Sequence, residues 1–90
     1  MKFTQTSEHV LKRAEREHWK VQSVIVLKDG TKILSSNTKE FEEEYIRTSS
    51  GANGRIVINP GWNPKHPDMH KWARVELDND EIDHVEEYTN

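Results

Sequence analysis

The chain contains no cysteine among its 90 residues. That excludes disulfides, a thiol nucleophile and any zinc site built on thiolates. Hydrophobic residues are only 32% of the chain, equal to the charged fraction, and mean hydropathy is −0.98. No apolar run approaches the roughly 20 residues needed to cross a bilayer as a helix. The N-terminal "MKFTQTSEHV" has no signal-peptide core, so a cytoplasmic protein without a membrane anchor is expected. Seven aromatic residues and regular apolar patterning nevertheless oppose disorder. A chain this short forms one domain, residues 1–90, and buries only about 60–65% of its unfolded surface, so its core is modest.

Cations are scarce in the second half. Residues 1–39 hold eight Lys/Arg against four Asp/Glu, whereas residues 40–90 hold five against twelve. No Lys or Arg follows Arg74, while Glu76, Asp78, Asp80, Glu81, Asp83, Glu86 and Glu87 do. Such a segment is either a solvated face that keeps a small protein soluble or a surface for a basic partner.

Periodicity and turn chemistry divide the chain into elements. Residues 6–19 predict a helix capped by Thr6 or Ser7, with Val10, Leu11 and Ala14 on a thin apolar stripe. Residues 21–36, "VQSVIVLKDGTKILSS", predict a hairpin about Asp29-Gly30, a two-residue type I′ turn signal. That register pairs Lys28 with Thr31, Val26 with Ile33, and Ile25 with Leu34. Both hairpin faces are apolar, so it should be covered on both sides or lie centrally. Residues 38–47 predict a second helix, capped by Asn37 or Thr38, burying Phe41, Tyr45 and Ile46. Glu40, Glu42, Glu43 and Glu44 crowd its first turns, where the helix dipole favours anions.

Residues 55–59, "RIVIN", predict a short strand, and Asn59-Pro60-Gly61-Trp62 matches a type II turn. Residues 72–89 fit a hairpin in which Trp72 faces Tyr88, Arg74 faces Glu86, Val75 faces Val85 and Glu76 faces His84. A capped helix from Asn79 is the competing reading. The expected fold is α+β: a small, mainly antiparallel sheet of about five strands with two helices, in the order α-β-β-α-β-β-β.

The segment "GWNPKHPDMHKW", residues 61–72, concentrates candidate chemistry. His66, Asp68 and His70 have metal-ligand types, but Pro64 and Pro67 break the helix that would align two histidines four apart. A His/Asp metal-dependent hydrolase is therefore a secondary reading, and neither metal nor cofactor is expected. No nucleophile-elbow motif accompanies the serines, and "SSGANGR" lacks the ending of a phosphate-binding loop. The basic first helix offers Lys12, Arg13, Arg16 and Lys20 for a nucleic-acid backbone, but Glu8, Glu15 and Glu17 interleave with them.

The leading expectation is a non-catalytic protein-binding domain. It would use Trp62, His66 and Met69 on a proline-stiffened loop and the acidic Glu81, Asp83, Glu86 and Glu87. Its partner would be a protein with a basic surface, and homodimerisation through an open sheet edge or the Trp loop is a further option. Small acidic chains of this kind suit an accessory or inhibitory protein of a phage or other mobile element.

Overall fold

A computed structural model describes residues 2–3, 19–49, 54–64 and 72–89. The predicted helix over residues 6–19 lies almost wholly outside them, and so do His66, Met69 and the cations Lys12, Arg13 and Arg16. The described elements are β1 (Lys2–Phe3), β2 (Ser23–Leu27), β3 (Lys32–Ser35), α1 (Lys39–Ser49), β4 (Arg55–Trp62), β5 (Ala73–Asp78), a 3-10 turn (Asn79–Glu81) and β6 (Ile82–Glu87). They form an α+β fold: one antiparallel sheet in the order β1-β5-β4-β3-β2-β6, with α1 packed on it. The strand β1 was not expected from the sequence.

The β2–β3 hairpin forms, but its register differs from the expected one by one residue. Ile25 pairs with Ile33 and Val24 with Leu34. The loop holds three residues rather than two. Gly30 N–H donates to the Leu27 carbonyl at 2.9 Å, and Leu27 N–H donates to the Thr31 carbonyl at 2.8 Å. The Asp29 Oδ1 accepts from Thr31 N–H at 2.9 Å, which draws Thr31 into the turn. Gly30, at φ +90°, takes the left-handed position that closes such a loop.

The register decides which side chains face the core, because a one-residue slip inverts every side chain of a strand. Ile25, Leu27 and Ile33 join Ile56, Ile58, Val75, Leu77 and Val85 in a single buried cluster. Val24 and Val26 are buried on the opposite face. The hairpin thus occupies inner positions of the sheet with both faces covered, as its two apolar faces require.

The expected C-terminal hairpin does not form. Both segments are strands, which excludes the competing helix, but β5 pairs with β4 and β1 while β6 pairs with β2. Each strand has two edges, and both edges of β5 are taken. Trp72 accordingly does not face Tyr88, and Arg74 lies 3.2 Å from Glu76 on its own strand instead of meeting Glu86. In a flat sheet, four spacings of about 4.8 Å would put β6 about 19 Å from β5. The linker from Asp78 to Ile82 reaches at most about 14 Å when extended, and less through a 3-10 turn. The sheet must therefore curl, which brings Val75 and Val85 into one core from strands that never pair.

The type II turn at 59–62 is also absent. Strand β4 runs on through Trp62, with a register shift between Ile58 and Gly61. Pro60 follows a cis peptide bond. Lacking an N–H, it is tolerated at a bulge in an inner strand. Gly61 serves close packing rather than a left-handed turn: a Cβ there would lie 2.9 Å from Val75 Cγ2.

Helix α1 begins where expected. Thr38 Oγ1 accepts from Phe41 N–H at 3.1 Å and caps the first turn. Its buried stripe is rotated from the expected one. Phe41 is 56% exposed, whereas Glu42 is 1% exposed. Glu42, Tyr45, Ile46 and Ser49 share the covered face at the i, i+3, i+4, i+7 spacing.

Candidate functional site

Strand β6 carries the acidic residues, and it ends the sheet. Among the described residues, no strand pairs with its outer edge. Asp83, His84, Glu86 and Glu87 are exposed along it, and Tyr88 just beyond is 42% exposed. Alternation alone would turn Asp83 inward beside Val85. The register against β2 shifts between Val26 and Leu27, so that β6 has one extra residue between Ile82 and His84. A bulge of this kind re-aims a side chain, and Asp83 joins His84 outside the core.

His84 sits between two carboxylates. Its Nε2 lies 2.8 Å from Glu86 Oε2, and its Nδ1 lies 3.2 Å from Asp83 Oδ2. The hydrogen bond to Glu86, with that to Asp83 second, holds the imidazole above its ordinary value. The same bond, seen from the other side, holds the Glu86 carboxyl below the usual range. The expected hairpin set His84 opposite Glu76, whereas it pairs with Val26 of β2 and its ring meets Asp83 and Glu86 on its own strand. Its position two residues before Glu86 and one after Asp83 was the available signal.

Glu81 does a different job from its neighbours. Its Oε2 accepts the Asp78 N–H at 2.8 Å, closing a capping box around the 3-10 turn. It belongs to the turn that links β5 to β6. Behind β6, a cleft of about 510 Å³ opens between α1 and the 3-10 turn, with Glu43, Arg47, Asp80 and Asp83 among its lining. The outer edge of β6 is thus bordered by exposed carboxylates, while the cleft behind it carries both charges, with Lys28 and Arg47 beside Glu43, Asp80 and Asp83.

Trp62 is the last residue of β4, opposite Leu34, and not the tip of a loop. Its ring is half-buried and meets Trp72 edge-to-face, with centroids 5.4 Å apart and planes at 65°. Trp72 meets Trp19 in the same manner at 6.4 Å. The three indoles, from three segments of chain, form one aromatic cluster. Lys20 is exposed beside it. Among the described residues, no group of three or more His, Asp or Glu side chains is placed to hold a metal ion. His66, Asp68 and His70 lie outside those residues.

A second polar centre was not foreseen. Strands β3 and β4 pair only at Leu34–Trp62 and Ser35–Gly61, then part. Helix α1 covers the gap, and Tyr45 Oη accepts the Val57 N–H at 2.9 Å. Ser23 and Ser35 are fully buried here. Ser23 Oγ donates to the Asn37 carbonyl at 2.7 Å, and Asn37 N–H donates to Ser35 Oγ at 3.0 Å. Burial pushes the Glu42 carboxyl above its ordinary value, against hydrogen bonds from the Ser35 and Asn37 side chains. The i, i+3, i+4 spacing of Glu42 with Tyr45 and Ile46 was the sequence signal. Phe41, equally well spaced from Tyr45 and more apolar, obscured it.

Among the described residues, no helix is long and apolar enough to cross a membrane. Comparison of the chain with protein-family models, with curated proteins and with solved structures finds no match.

Proposed function

We propose that this chain is a non-catalytic binding domain that takes up a basic, extended segment of a protein partner along the outer edge of β6. The observation that carries this reading is the exposure of Asp83, Glu86 and Glu87 on the terminal strand of the sheet, with the exposed Tyr88 directly after it. Main-chain groups on a sheet edge supply affinity by strand addition, and side chains beside them supply selectivity. Clustered carboxylates also steer a basic partner and make its association rate fall with salt. The same charges discourage pairing of the edge with a second, equally acidic copy. An accessory or inhibitory role, as in a phage or other mobile element, fits a small domain that acts by occupying a basic surface.

The test is affinity capture from the source cells with the natural chain and with a variant carrying Asp83→Lys, Glu86→Lys and Glu87→Lys. The reading expects a partner retained by the natural chain at low salt, released by added salt and lost with the variant. An unchanged set of captured proteins at every salt concentration would end it.

A further inference from the structure

We propose that the cleft where β3 and β4 part binds a short alkylammonium group, with the Glu42 carboxylate accepting its N–H donors. The cleft has a volume of about 290 Å³ and is lined by Asn37, Phe41, Glu42, Tyr45, Val57 and Asn59. Such a volume lies at the bottom of the roughly 300–1,000 Å³ range that takes drug-sized ligands, so the occupant is small.

Its chemistry is specified by what lines it. Glu42 is the one charged side chain among the described lining residues, so the site favours a single positive charge. Glu42 Oε2 is fully buried and has no hydrogen-bond partner among the described residues, although Ser35 and Asn37 donate to the carboxyl group. A buried acceptor without a donor is costly, and a buried carboxylate without a counter-charge costs more. An ammonium supplies both at once. Phe41, largely exposed at the rim, and Val57 offer apolar surface to an alkyl stem. The Asn37 and Asn59 amides offer oxygens to the remaining N–H groups. A free amine and the side chain of a lysine present the same group.

This inference goes beyond the β6 reading and uses none of its residues. Titration of the ¹⁵N-labelled chain with n-butylammonium should give saturable shifts at Asn37, Tyr45, Val57 and Asn59. n-Butanol, with the same stem and no charge, should give none. Glu42→Gln should weaken binding at least tenfold, and Asn59→Ala, at an exposed position, should weaken it several-fold. If Glu42→Gln does not fold, the n-butanol comparison and Asn59→Ala still decide. A titration with Nα-acetyl-lysine methylamide separates the sources: tighter binding than n-butylammonium assigns the site to a partner's lysine, and weaker binding assigns it to a free amine. Absence of saturation with both amines, or equal shifts from n-butanol, would overturn the proposal. The triple lysine variant of β6 should leave these shifts unchanged, so the two readings fail separately.

Discussion

Gly61 packs against Val75 so closely that a Cβ on the glycine would fall 2.9 Å from Val75 Cγ2 and 3.1 Å from the Ile58 carbonyl oxygen. Neither neighbour can withdraw, since Val75 and Ile58 are fully buried. Gly61→Ala is therefore expected to destabilise the fold by about 1–3 kcal/mol through overpacking. Urea unfolding of Gly61→Ala, Val75→Ala and the double variant checks this. The double variant should be more stable than the sum of the two single effects allows.

Gly30 poses the opposite case. Nothing lies within 4 Å of a Cβ built there, but φ is +90°. Gly30→Ala should cost about 1–2 kcal/mol from backbone conformation alone, and Gly30→Asn distinctly less, because asparagine tolerates the left-handed region. Equal stability of all three chains in urea would show that the three-residue loop does not need its glycine.

Glu42 should make the fold sensitive to pH. Its folded carboxyl titrates above the unfolded value, so the protonated form is the one the fold prefers. The associated stability is fully present below the ordinary carboxylate value of about 4.3. It is lost as pH rises through the raised folded value. Glu42→Gln keeps the side chain's shape and removes the buried charge. It should remove this decline and leave the variant at least as stable as the natural chain at pH 7. Glu42→Ala, which leaves Ser35 and Asn37 without their acceptor, should lose about 1–3 kcal/mol. Urea midpoints across pH for the three chains provide the comparison.

His84 titrates in the same direction for a different reason. Its imidazolium is held by Glu86 and Asp83, so its stabilising contribution is complete below the ordinary histidine value and fades as pH rises through the raised one. Glu86, held below the usual range, contributes above the ordinary carboxylate value and loses its share as pH falls through the lowered one. The pair is strongest between these limits. An NMR titration of the His84 ring should give a midpoint above that of an ordinary histidine. Glu86→Gln should lower it more than Asp83→Asn does. A midpoint unmoved by either change would mean the contacts do not persist in solution.

Local chemistry was enough to place most elements. The Asp29-Gly30 signal, the Thr38 cap and the alternation in 55–59 each act over a few residues, and each lies inside an observed hairpin, helix or strand. The two apolar faces of residues 21–36 correctly implied an inner position in the sheet. The acidic character of β6 is likewise a property of its composition. What a segment pairs with is another matter. The charge and aromatic matches between residues 72–78 and 82–88 described a plausible hairpin, yet β5 is claimed by β4 and β1, and β6 by β2. Edges are allotted by the whole sheet, so no local match decides them. The bulge that turns Asp83 outward and the bulge at Asn59-Pro60 are outcomes of fitting neighbouring strands together. Glu42 is the sharpest instance. Its residue type argues for solvent, and only the parting of β3 and β4, with Ser35 and Asn37 in place to meet it, makes a buried carboxyl tolerable there.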